Sequence, residues 1–122
     1  MKKKDIEKRL NDISIKMLEF EDGDLMLLSE LLDDMSELLD FFRNQKDGNK
    51  ISSIIYNVLD KLIKNEEVND ARELISNGID LLARVFKHGD KGISDLLLDD
   101  INTYYESAKN NNILNDYYNS AA

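Results

Sequence analysis

The sequence predicts an all-α fold, a single bundle of about five mostly antiparallel helices. Apolar residues recur at intervals of three and four along most of the chain, and no segment alternates with the period of two that a half-buried strand would have. The 122 residues contain no proline. Short polar segments, most of them with a glycine, separate the periodic stretches, so consecutive helices are expected to run antiparallel.

The first two helices are predicted at Asp5–Phe20 and Asp24–Arg43. The first has one apolar stripe, formed by Ile6, Leu10, Ile13, Met17 and Phe20. The second has a stripe in strict alternation of three and four, formed by Leu25, Leu28, Leu32, Met35, Leu39 and Phe42. Further apolar residues widen the second stripe, so this helix is expected to be the central one and to contact neighbours on two sides.

The third helix is predicted at Lys50–Lys64, after a loop with the sequence NQKDGNK. Asp70 and Glu73 have the spacing of a capping box, which predicts the start of a fourth helix. Gly78 lies inside the apolar pattern of that helix, where glycine costs about 1 kcal/mol relative to alanine. We therefore expect that Gly78 lets another helix approach closely.

The fifth helix is predicted to begin at the N-cap Ser94 and to continue through Lys109. Residues 1–110 would then form the bundle, and residues 111–122 a C-terminal tail. Within the tail, Ile113, Leu114, Tyr117 and Tyr118 have the spacing of one short amphipathic helical turn.

Composition excludes several classes of function. The absence of cysteine excludes disulfides, thiolate zinc sites and cysteine nucleophiles. The net charge of −9 argues against nucleic acid as a partner, because phosphates would be repelled. No apolar run has the length of a membrane span or follows the basic N-terminus as in a signal peptide, so a cytoplasmic protein without membrane contact is expected.

The single histidine lies in the segment VFKHGDKGIS, where His88, Lys91 and Gly92 match the H-x-x-K-G pattern of histidine phosphotransfer sites. A lysine three residues after the histidine would share its helix face and could neutralise a phosphoryl group. Gly89 and Asp90 instead resemble a helix terminus, and Asp90 would place a negative charge beside the phosphate. The favoured interpretation is an exposed histidine at the C-terminal end of a helix, with a phosphoacceptor as the alternative.

The segment IIYNVLDKLIKNEEVNDARELISNGIDLLARVF (54–86) resembles the two helices that follow the histidine-bearing helix in phosphotransfer domains of chemotaxis-type histidine kinases. The match consists of Leu59-Asp60, Lys64-Asn65-Glu66 and Leu74-Ile75 followed by Asp80-Leu81-Leu82. The resemblance implies a helical bundle with its phosphoacceptor in helix 24–43, which contains no histidine. It therefore implies a degenerate domain that is used for docking rather than for phosphate relay.

An acidic stripe is the second candidate site. Residues 21–40 contain eight acidic and no basic side chains, whereas residues 1–20 contain six basic and four acidic ones. Glu30, Asp33, Glu37 and Asp40 recur at intervals of three and four and share one face of the second helix. This face is either simply solvated or a docking surface for a protein partner with a basic surface.

No pattern in the sequence predicts an enzyme, a cofactor or a metal site. The carboxylates lack the Glu-x-x-His pairs of a di-iron bundle and the loop spacing of an EF-hand. We therefore expect a non-enzymatic signalling or regulatory domain that binds a protein partner, partly through the acidic stripe. The alternatives are a phosphorelay intermediate that uses His88 and an acidic inhibitor or immunity-type protein that occupies a basic site on its target.

Overall fold

The computed structural model describes residues 3–21, 23–88, 93–111 and 113. These residues form five helices and no strand, so the predicted all-α class is confirmed. The helices are α1 (Lys3–Glu19), α2 (Leu25–Phe41), α3 (Lys46–Ile63), α4 (Ala71–His88) and α5 (Asp95–Asn110).

The first four helices form a closed up-and-down bundle. Going around it, α1 packs against α2, α2 against α3, α3 against α4, and α4 against α1, while α5 lies against α4 and α3. Arg9 near the start of α1 pairs with Glu37 near the end of α2, as expected for antiparallel neighbours. The predicted antiparallel bundle is confirmed, and its short connections follow from that arrangement.

The buried faces of all five helices meet in one core. In α2 this face includes Leu31 and Leu38, whereas Leu25, part of the predicted stripe, is 57% exposed. Side chains with no exposed surface come from each helix, for example Ile6, Leu31, Ile54, Ile75 and Ile101. Burying each such side chain contributes about 1.5–3 kcal/mol, and this burial is the main source of stability. The expectation that α2 contacts two neighbours is confirmed, but α3 is more central, because it packs against α2, α4 and α5.

The start of α3 differs from the prediction. The helix begins at Lys46, four residues before the predicted start, and Gln45 is its N-cap. The Gln45 side chain accepts a hydrogen bond from the Gly48 N–H, and Gly48 is buried in the first turn. A Cβ at Gly48 would collide with the Phe42 ring. This glycine therefore permits close packing at the helix start, although its polar neighbours are typical of a loop.

The two other predicted helix starts have different outcomes. The helix α4 begins at Ala71, directly after Asp70, so the predicted start is confirmed. Asp70 has a φ of 57°, in the left-handed region rather than in the extended conformation of an N-cap, so the capping box itself is wrong. Ser94 is the N-cap of α5 as predicted, and its hydroxyl accepts a hydrogen bond from the Leu97 N–H at 3.2 Å. The helical turn predicted in residues 111–122 lies outside the described residues, apart from Asn111 and Ile113, and Ile113 is buried in the core.

Candidate functional site

His88 is the last residue of α4, and its side chain is exposed. The imidazole thus lies at a helix C-terminus, where the helix dipole favours a positive charge. Lys91 and Gly92, the other two residues of the H-x-x-K-G pattern, lie outside the described residues. A phosphoacceptor role for His88 remains a prediction.

The four residues predicted to bind a partner lie on the exposed side of α2. Glu30, Asp33, Glu37 and Asp40 are all exposed, and we call this set the acidic face. Residues seven apart on a helix lie nearly above one another, so the pairs 30/37 and 33/40 form two parallel rows. The structure therefore brings the predicted residues together on one surface.

The two rows differ in their ionic partners. In the row nearer α1, Glu37 pairs with Arg9, and the Glu30 carboxylate lies 3.8 Å from the Lys16 Nζ. In the outer row, Asp40 pairs locally with Arg43, three residues later. Asp33 makes no ion pair within the described part of the chain. The bundle itself neutralises the inner row, whereas the outer row stays available.

Beside the inner row lies a buried carboxylate that the sequence interpretation did not single out. The side chain of Asp34 is only 8% exposed. Arg9 donates a hydrogen bond to its Oδ1 at 2.8 Å, and Lys16 donates one to its Oδ2 at 2.9 Å. Both oxygens are therefore compensated, as a buried charge requires.

A sequence signal for Asp34 does exist. Asp34 lies three residues after Leu31 and four before Leu38, both of which are fully buried, so the helical period already places it at the core face. Arg9 and Lys16, seven residues apart on α1, provide the matching cations. We call Arg9, Lys16, Glu30, Asp34 and Glu37 together the charged seam.

The charged seam keeps its lysine protonated. The hydrogen bond to Asp34 raises the pKa of Lys16 above its ordinary value, and the nearby carboxylates act in the same direction. Lys16 therefore remains a cation throughout the physiological pH range. At neutral pH, the attraction between α1 and α2 depends on ionic strength rather than on titration of this lysine.

On its other side, α1 packs against α4, and an open groove runs along this contact. One cavity of about 330 Å³ is lined by residues of both helices, including Leu10, Ser14, Ser76, Ala83 and Phe86. A second cavity of about 340 Å³ continues past Ser14 and Ser76 to Leu18 and Arg72. Small side chains, among them Ser14 and Ser76, lie where the two cavities meet.

A further groove of about 320 Å³ lies between α4 and α5. At its base the Tyr104 hydroxyl donates a hydrogen bond to the Leu74 carbonyl oxygen at 2.7 Å, and burial raises the pKa of this phenol. At its rim Arg84 pairs with Asp100 at 2.9 Å. These contacts fix α5 on α4. Among the described residues, no buried polar side-chain atom lacks a hydrogen-bond partner.

Within the described ranges, no three His, Cys, Asp or Glu side chains are grouped so that they could hold a metal ion. None of the helices that the structure describes is long and apolar enough to cross a membrane. No protein-family model matches the chain, and no curated protein or solved structure matches it.

Proposed function

We propose that this chain is a non-enzymatic signalling or regulatory domain that binds a protein partner with a basic surface, partly through the acidic face of α2. The observation that carries the proposal is the outer row of that face. Asp33 and Asp40 lie two helical turns apart and point away from the bundle, and the Asp40 side chain is 69% exposed. Among the residues that the structure describes, no cation of another helix pairs with either of them.

Electrostatics supports a basic partner. The chain has a net charge of −9, and like charges three and four residues apart on one helix repel one another. A partner with basic side chains would relieve this repulsion and would be attracted over a distance of about 10 Å at moderate ionic strength. The same charge disfavours nucleic acid as a partner.

The architecture is compatible with the phosphotransfer resemblance. A helical bundle is what the resemblance implies, and under it α2 would correspond to the helix that bears the phosphoacceptor histidine in that family. Here α2 presents carboxylates at its surface and contains no histidine. A docking role without phosphate transfer is therefore the function we favour. We also propose a cytoplasmic location, which the absence of cysteine supports.

The proposal can be tested by affinity capture from a lysate of the source cells. The unaltered chain should retain a basic protein at about 50 mM salt and release it at about 500 mM salt, since screening weakens contacts between exposed charges. The double variant D33K/D40K should abolish capture of that same protein.

A matched control exists on α5. Asp99 and Glu106 are also exposed and also seven residues apart, so D99K/E106K makes the same change in net charge at the same spacing on another helix. This control should capture the protein normally. Equal capture by D33K/D40K and by the unaltered chain would refute the proposed function.

A further inference from the structure

We propose that the exposed face of α2 binds an amphipathic helix of the partner protein. The apolar side chains of that helix would lie on a leucine row of α2, and its basic side chains would meet the outer acidic row. The leucine row consists of Leu25, Leu32 and Leu39, which are seven residues apart and therefore lie nearly above one another. This inference rests on the proposed function and names the kind of partner that fits it.

The leucine row belongs to the apolar stripe predicted for α2, but it lies at the edge of the core. The buried apolar side chains of α2 are Leu28, Leu31, Met35 and Leu38. Leu25 is mostly exposed, and Leu32 and Leu39 are only partly buried. The helix thus has more apolar side chains than its core contacts use, and the surplus forms a line of roughly 21 Å. A contiguous apolar line of this kind is typical of a binding surface.

The leucine row and the outer acidic row are neighbours on α2. Ser29 and Ser36 lie between them, because each serine is three or four residues from members of both rows. Both serines are exposed, and their small side chains leave a shallow lane. A groove of about 440 Å³ lies at one end of this lane, and its lining includes Leu39 and Asp40, one member of each row.

Charge and shape together select a basic amphipathic helix. The helix α2 contains no basic residue, so the carboxylates beside the leucine row have no cation on their own helix. An α-helix repeats its apolar side chains at intervals of three, four and seven, so it can place several of them on the leucine row at once. Lysine or arginine at the flanking positions of that helix would reach Asp33 and Asp40.

The exposed apolar side chains described on other helices are arranged differently. Leu96 and Leu98 of α5 are two residues apart and therefore point in different directions. Ile15 and Leu18 of α1 extend over a single turn. The leucine row of α2 is longer than either pair and lies directly beside carboxylates, so α2 is the helix to which we assign the partner.

Two synthetic peptides of about 18 residues, made only of leucine and lysine, test the inference. In one, the leucines recur at intervals of three and four, and in the other the same residues are permuted so that this period is lost. Titration calorimetry with the full chain should give about tenfold tighter binding of the periodic peptide, because only that peptide can bury its leucines on the row. Equal affinities would overturn the inference but leave the proposed function intact, which D33K/D40K tests separately.

The variant L25Q/L39Q locates the binding surface. It should weaken binding of the periodic peptide about tenfold and leave binding of the permuted peptide unchanged. Leu25→Gln alone, at a mostly exposed position, should give a smaller loss in the same direction and replaces the double variant if circular dichroism shows that the latter is unfolded. L96Q/L98Q, which alters two exposed leucines of α5, is the matched control and should bind both peptides normally.

Two results would contradict the assignment to the leucine row. One is that L25Q/L39Q, or Leu25→Gln in its place, binds the periodic peptide as tightly as the unaltered chain does. The other is a dimer of the unaltered chain in analytical ultracentrifugation that becomes a monomer in L25Q/L39Q, since a second copy would then cover the row.

Discussion

The charged seam and the junction around Gly78 show two different ways of joining helices in this bundle. In the seam, α1 and α2 are joined by cations on either side of the buried Asp34. At the junction, α4 contacts α3 and α5 because Gly78 has no side chain. A Cβ there would lie 2.5 Å from the Tyr104 Oη and 2.7 Å from the Ile55 Cδ1. One contact depends on charge, and the other on shape.

This difference has consequences for the response to salt. Coulomb attraction between partly solvated groups responds to ionic strength and can be taken over by other charges. Close packing does neither, because its strength comes from many short contacts that are lost together. The contacts at the junction should therefore respond less to ionic strength than those of the charged seam.

The largest effect is expected at the junction. Gly78→Val would place a branched side chain against Tyr104 and Ile55, and we expect a loss of about 3 kcal/mol of unfolding free energy from overpacking. Urea denaturation measures this loss. Asn77→Ala, at an exposed position in the same helix, is the control and should change stability by less than about 0.5 kcal/mol. A stable Gly78→Val variant would mean that the junction is not tightly packed.

A smaller, salt-dependent effect is expected in the charged seam. Asp34→Ala should cost about 2 kcal/mol at low ionic strength, because two charge-assisted hydrogen bonds are lost. The cost is limited because Arg9 and Lys16 can still reach Glu37 and Glu30. Urea denaturation should show that the loss shrinks at high salt, whereas that of Gly78→Val does not. If the losses caused by Asp34→Ala and Gly78→Val depended on salt in the same way, the distinction between seam and junction would not hold.

Alkaline pH should lower the free energy of unfolding through one group in each region, Tyr104 at the junction and Lys16 in the charged seam. Burial raises the pKa of Tyr104 above 10.0, and the hydrogen bond to Asp34 raises that of Lys16 above 10.5. Both groups keep their protons in the folded chain at a pH where the unfolded chain releases them. Their contribution to the free energy of unfolding is therefore complete below pH 10 and declines as the pH rises above it.

Tyr104→Phe separates the two contributions. At neutral pH this variant should lose about 1 kcal/mol of unfolding free energy, because the hydrogen bond from the Tyr104 hydroxyl to Leu74 is absent. Urea denaturation between pH about 9 and about 11 should then show a shallower decline of stability than in the unaltered chain. An equally steep decline would assign the alkaline effect to other groups.

The junction could be predicted from the sequence better than the seam could. Gly78 interrupts a periodic helix, and that local anomaly alone predicts a close neighbour, which the structure confirms. Ser94 is likewise a local signal of a helix start. The role of Asp34 depends on the register between α1 and α2, which no local pattern specifies. The prediction of a loop at Gly48 is wrong, because close packing and turns both favour glycine.

The smallest effect is expected for an ion pair that resembles the seam in distance but not in burial. Arg84 lies 2.9 Å from Asp100, and Arg9 lies 2.8 Å from Asp34, and both pairs join two helices. The Asp100 side chain is 52% exposed, whereas that of Asp34 is 8% exposed. Arg84→Gln should therefore cost less than about 0.5 kcal/mol, because solvent already screens the pair.

Arg9→Gln should cost about 1 kcal/mol or more, because the buried carboxylate loses a charged donor. Urea denaturation of the two variants under identical conditions gives this comparison directly. Because the two distances are nearly equal, a difference in cost would identify burial of the carboxylate as the property that makes α1 depend on charge. Equal costs would mean that the seam is an ordinary surface contact.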